Sequence, residues 1–169
     1  VRDEVMRANM DRATGDYNDF WAGRDYLHDL APMRAALLMS HGFNDWNVMP
    51  EHSNRIYQAA KDRGVPVQIY YHQGGHGGPP PLEMMNKWFT HFLYDVENGV
   101  EEEPKAWIVR EGDLRSQPTP YADFPNPAAE PVALHLRKSG SAAGRLSLKK
   151  PRAGRERLVD DVAFAGADL

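Results

Sequence analysis

Cysteine is absent from the 169 residues. Disulfides, zinc–thiolate centres and a cysteine nucleophile are therefore excluded, but the compartment is not fixed, because exported bacterial proteins can also lack cysteine. No apolar run approaches the ~18–20 residues of a membrane-crossing helix. An excess of positive charge is missing too. The formal net charge is -4, so no broad attraction to nucleic acid is implied. A starting methionine and a signal-like segment are also lacking: the chain opens Val1-Arg2-Asp3-Glu4, which reads as the interior of a longer protein. A cytoplasmic location is expected, or export if a missing N-terminus carries a signal peptide. The residues that are there, 41% hydrophobic and 26% charged, read as soluble and globular, as one ordinary domain or parts of two.

Along the chain, the stretch to about Leu30 is polar and aromatic, with helical spacing of Tyr17, Phe20, Trp21 and Tyr26. Ala35-Ala36-Leu37-Leu38-Met39-Ser40, between Pro32 and Gly42, suits a strand buried on both faces of a parallel sheet. Pro50 to Arg63 reads as a helix, with proline in its first turn and Gly64 past its end. Val67 to Tyr71 reads as a second strand, parallel to the first, and a Gly/Pro-rich loop runs from Gly74 to Pro81. From Leu82 to Asn98 an amphipathic helix sets Leu82, Met85, Phe89, Phe92, Leu93 and Val96 on one face, which is expected to pack on the sheet; Gly99 ends it. Met84 and Trp88 are expected in the core.

Strand, helix, strand, loop, helix is the grammar of a parallel α/β sheet. After Glu101-Glu102-Glu103-Pro104, read as a solvated linker, the grammar changes to antiparallel strands. Lys105–Arg110, Pro131–Lys138, Arg145–Lys149 and Arg157–Phe164 are the candidates, with Val132, Leu134 and Leu136 alternating. The boundary is placed near residue 103, giving domains of 1–103 and 104–169, the second one truncated.

Two loops concentrate the chemistry. The first strand runs into His41-Gly42-Phe43-Asn44-Asp45-Trp46-Asn47, and the second into His72-Gln73-Gly74-Gly75-His76-Gly77-Gly78. Functional groups of an open α/β sheet gather past the carboxyl ends of its strands. Asp45 and His76 both stand there, so a carboxylate can hold an imidazole through Nδ1–H and stabilise the imidazolium formed in proton transfer. Aspartate then histidine is also the order in which these partners follow the serine in α/β-hydrolases.

Leu38 to Val48, with the Gly42-Phe43-Asn44-Asp45 turn, and His72-Gln73-Gly74-Gly75-His76 resemble the bacterial-type Xaa-Pro dipeptidyl-peptidases. Their serine-peptidase family also includes cocaine esterase and the glutaryl-cephalosporin acylases. Asp16 to Tyr26 resembles the segment before the acid-bearing strand, and residues 1–30 the end of a helical cap insertion. Trp88 to Leu93 resembles the last catalytic-domain helix; Tyr121 to Pro125 and Pro131 to Arg137 resemble the entry to a jelly-roll domain. The resemblance implies the C-terminal part of an α/β-hydrolase followed by the start of a β-sandwich. It assigns Asp45 as triad acid and His76 as triad base, acting on peptides with proline at the second position. No cofactor or metal is called for, no nucleic acid or membrane partner is expected, and a homo-oligomer is left open. The family nucleophile sits in Gly-x-Ser-Tyr-x-Gly. None of Ser40, Ser53, Ser116, Ser139, Ser141 and Ser147 stands in Gly-x-Ser-x-Gly, so the segment is expected to lack the nucleophile and to be inactive alone.

Plainer readings stand beside these. Asp45 could be only an Asx-turn residue. The four-residue spacing of His72 and His76 favours a metal only on a helix, and the surrounding glycines argue against one. His41 reads as a strand-end hydrogen-bonding residue, and Phe43 and Trp46 as packing for the acid loop, with a pocket wall as the alternative for both. An esterase or amide acylase of the same family, and a non-catalytic accessory module, are the alternatives to the peptidase.

Overall fold

Every residue of Val67–His72 is buried, which requires a strand covered on both faces. The computed structural model describes residues 2–137 and 145–150 and shows how that cover is built. A π-helical turn (Arg2–Met6) and two single helical turns, α1 (Arg7–Asn9) and α2 (Asp19–Ala22), open the chain, followed by a 3-10 turn at Tyr26–Leu30. Asn18 starts α2 by accepting the Phe20 and Trp21 N–H groups on its side-chain oxygen, satisfying donors that the helix itself cannot. The helical spacing expected over this opening, with an interruption near Gly15, is realised only as short turns.

β1 (Leu37–Gly42) and β2 (Val67–His72) are parallel neighbours, in register from Leu37 opposite Val67 to Gly42 opposite His72. α3 (Pro50–Lys61) connects them, with Pro50 at its first position, where a missing N–H costs nothing. Alternation along the strands sorts the two faces. Val67, Ile69 and Tyr71 join Tyr57 and Ala60 of α3 in the core, with Leu37 and Met39 packed alongside. On the other face Gln68 donates to the Val100 carbonyl, and the Tyr70 hydroxyl to that of Arg115. Burying each large apolar side chain contributes roughly 1.5–3 kcal/mol, so this double cover is the main force fixing β2.

β1 is only half-buried from Leu37 to His41, not buried on both faces as expected, because it pairs on one side only, with β2. Other expectations also need correction. α4 (Leu82–Tyr94) ends at Asp95, which takes the left-handed conformation (φ 54), not at Gly99. Its buried residue is Trp88, set against Phe92 at 4.5 Å, while Leu82, Phe89 and Leu93 are exposed. Apolar residues occur on more than one side of α4, and the side that packs is offset by one position from the stripe read in the sequence. The acidic run is not a free linker either. Val100–Glu102 forms a 3-10 turn with Val100 buried, and Glu103 is ion-paired to Lys87.

The chain consequently stays in the first sheet past residue 103. β3 (Ala106–Ile108) adds parallel to β2, and β4 (Thr119–Tyr121) adds antiparallel to β3, giving the order β1-β2-β3-β4. Asp123 fastens this extension to α3, accepting from the Tyr57 hydroxyl at 2.7 Å and from Lys61 Nζ at 2.8 Å. The division into two compact units falls between Pro127 and Ala128, not near 103. Within the second unit, β5 (His135–Arg137) and β6 (Arg145–Ser147) form an antiparallel pair. These strands are shorter than the runs expected at 131–138 and 145–149, and Val132, Leu134 and Leu136 are exposed. The strand expected at 157–164 lies outside the described residues.

Candidate active site

The paired ends of β1 and β2 continue as two loops held backbone to backbone. Phe43 N–H donates to the His72 carbonyl at 2.8 Å, Asn44 N–H to that of Gly74 at 3.2 Å, and Asn44 Nδ2 to that of Gln73 at 2.7 Å. Gly42 permits the approach: a Cβ there would stand 2.2 Å from the Gly74 oxygen. The ladder so extended aims Asp45 and His76 at each other, and Asp45 Oδ2 lies 2.9 Å from His76 Nδ1.

Asp45 is fixed twice over. Its Oδ1 accepts the N–H groups of Asn47 and Val48, each at 3.0 Å, which makes the Asx turn of the plainer reading. Its Oδ2 remains for histidine. One carboxylate therefore does both jobs. The Val48 N–H bond is the largest influence on its pKa; with the His76 and Asn47 bonds it outweighs burial and holds the acid below its ordinary value. Asp45 is thus a fixed anion at neutral pH.

His76 is the opposite case. Its side chain is 64% exposed, against 3% for Asp45. The carboxylate can only accept, so Nδ1 carries a hydrogen, and Nε2 is the ring nitrogen this contact leaves free. Both residues line a cavity of about 320 Å³ with Ser40, His41, Val48 and Gly78. A larger cleft of about 490 Å³, between the opening segment and α3, contains neither Asp45 nor His76.

Residues 2–78 match the family model described as X-Pro dipeptidyl-peptidase (S15 family). All of the chain aligns at 55% identity with a Rhodopirellula baltica protein named as an Xaa-Pro dipeptidyl-peptidase, covering 27% of that protein. The chain belongs to the S15 family. A Bacillus anthracis protein of the same name is 36% identical over 81% of the chain and 23% of its own length. The S15 segment thus spans about a quarter of the length of the curated relatives it matches. A solved CocE/NonD family hydrolase from Staphylococcus aureus aligns with 71% of the segment and 21% of its own chain, at 17% identity and a TM-score of 0.49.

The other histidines of the S15 segment's two loops are supports. His72 is fully buried and its Nδ1 accepts from Gly74 N–H at 3.0 Å and from Arg115 Nη2 at 3.2 Å. Burial first, and the Arg115 charge second, push its pKa down, so it is a neutral imidazole under the glycine turn. Arg115 was not legible as part of the site; it reaches the turn from 43 positions away in the sequence, with no motif around it. His41 hydrogen-bonds at the strand end, as expected, with partners on Ser53 and Val48. Phe43 stacks on Tyr71 at 4.6 Å and packs the acid loop. Trp46 does not: it is 87% exposed, because the Asx turn directs it away from the sheet.

Proposed function

We propose that the protein carrying this segment is a serine hydrolase that removes Xaa-Pro dipeptides from peptide N-termini, with His76 as base and Asp45 as acid of its triad. One observation carries the reading. An ionised, buried carboxylate holds Nδ1 of an exposed imidazole whose Nε2 borders an open cavity, on strand ends whose sequence is that of the S15 family. In the reaction, His76 Nε2 takes the proton of a serine hydroxyl as its oxygen adds to the scissile carbonyl. The imidazolium, stabilised by Asp45, passes that proton to the leaving amine, and the C–N bond breaks to leave an acyl-serine. Water then adds, losing its proton to His76, and the dipeptide departs as His76 returns the proton to serine.

The serine would come from outside this segment. Ser40 Oγ is turned to the Gly78 carbonyl at 2.5 Å, and Ser53 is buried on α3, where no substrate carbonyl can reach it. The first unit is read as the C-terminal part of the catalytic domain, and the β5–β6 pair as belonging to a following β domain.

Turnover of a Gly-Pro anilide and of a simple ester, by the full-length protein and by residues 1–169 alone, tests the proposal. The full-length protein should cleave the anilide and the segment should cleave neither. Turnover of the ester without the anilide would replace the dipeptidase by an esterase, and a turning-over segment would remove the triad assignment.

A further inference from the structure

His76 is not the only imidazole on the Asp45 carboxylate. His41 Nε2 lies 3.3 Å from the same Oδ2 that His76 holds, and 2.8 Å from the Val48 carbonyl. A carbonyl only accepts, so His41 Nε2 carries a hydrogen and donates it to Val48, with the Asp45 oxygen in ion-pair range beside it. The other ring nitrogen is engaged as well: Nδ1 is hydrogen-bonded to the Ser53 hydroxyl on α3. With both nitrogens occupied and the side chain 9% exposed, His41 cannot take a proton from a nucleophile as His76 can.

We infer that His41 is a positioning residue for the triad acid: held by Ser53 and donating to Val48, it sets its N–H edge against Asp45 Oδ2 and so sets how strongly that oxygen attracts His76. The inference rests on the proposed roles of Asp45 and His76. The relay runs from the first turns of α3, through the imidazole at the end of β1, to the shared oxygen. It fixes the height of the acid loop over the helix, because the Val48 carbonyl is held by the same Nε2–H. The other titratable groups nearby are His72 with Arg115, beneath the glycine turn, and the exposed Glu51 and His52 beside Ser53.

Without the positive edge of the His41 ring 3.3 Å away, Oδ2 attracts the His76 imidazolium more strongly, so the acidic limb set by the base moves to higher pH. A positive charge on His41, were it present, would act in the same direction, so removing it gives the same sign. The acidic limb of kcat/KM reports the free enzyme's base.

The test uses the full-length protein with His41→Leu, His41→Gln and Ser53→Ala. Glutamine keeps an N–H donor near the Nε2 position, and leucine keeps none. Replacing His41 by leucine frees the Val48 carbonyl and loosens the Asp45 turn, which should lower kcat by about tenfold, the scale of one hydrogen bond, with KM little changed. Its acidic limb should move to higher pH, His41→Gln should recover most of both, and Ser53→Ala should move the limb the same way by less. An unmoved limb in His41→Leu, or glutamine behaving as leucine does, would overturn the inference and leave His41 a packing residue. Should His41→Leu fail to fold, the limb of Ser53→Ala decides by the same criterion. The His76 ring-proton titration followed by NMR in the same variants separates the two readings. A protein inactive on every substrate would sink the proposed function, while the NMR shift would still decide the part played by His41.

Discussion

The acid loop and the base loop leave the same edge of the sheet side by side, yet they are secured in contrasting ways. The acid loop is tied from every direction: Oδ1 of Asp45 takes two backbone donors, Phe43 stacks on Tyr71, and Asn44 bonds to Gly74 and Gln73. In the base loop the backbone is supported from below, by His72, but the His76 side chain is held at Nδ1 alone. The contrast suits a general base, which must keep one nitrogen free for two proton transfers, while the group orienting it must not move or change charge.

The sharpest way to break the comparison is at His76. In the full-length protein, His76→Ala should abolish turnover and leave the thermal unfolding midpoint nearly unchanged, since an exposed ring with one hydrogen bond supports little of the fold. A large fall in that midpoint would show that the base loop depends on its histidine for structure. Asp45→Asn should lower kcat by about 10⁴, as in other triads, because the amide can donate to Nδ1 and select the wrong tautomer. It also weakens a carboxylate-capped turn, so it should cost stability where His76→Ala does not.

At Gly42, valine should separate the loops. Its Cβ cannot fit 2.2 Å from the Gly74 oxygen, so the backbones must part, at roughly 1–3 kcal/mol for forced overpacking and with loss of most activity. The smallest effect concerns pH. The lowered pKa of Asp45 means that its stabilising charge is complete above the unfolded value of about 3.9 and is lost only as pH falls through the lower folded value. The stability advantage of the wild type over Asp45→Asn should therefore persist down to about pH 4 and fall away only below it, read from unfolding free energies of both proteins.

The pair Asp45 and His76 was legible because its carriers were. An apolar run ending in a polar glycine turn has few readings other than a parallel strand, and two such runs joined by a helix place their ends together, though only the second is buried throughout. The boundary was not legible. Glu101–Glu103 looks solvated, but its burden is carried by a buried Val100 and a lysine from α4, contacts that no local pattern encodes. β3 falls within the strand expected at 105–110, but its parallel place beside β2 was not legible, and β4, three residues long, is too short for alternation to register; Asp123, reaching Tyr57 and Lys61, ties the extension down. α4 shows a related limit: periodicity found the helix, but with apolar residues on several sides it could not tell which side the sheet would take. Asp45 itself makes the expected Asx turn through one oxygen and meets His76 through the other.

The close approach at Gly42 has an evolutionary corollary. Because the ladder bonds run on from the strands into both turns, neither loop has a spare residue between its strand and its reactive group: three steps from Gly42 to Asp45, four from His72 to His76. An insertion in one turn alone would carry its side chain out of reach of the other, so natural variation at the two places must be correlated. Grafting the acid turn of a distant homologue into this scaffold should fail where grafting both turns together succeeds. The heritable unit of this Asp–His pair is the two turns together, inherited across the helix and strand that separate them in the sequence.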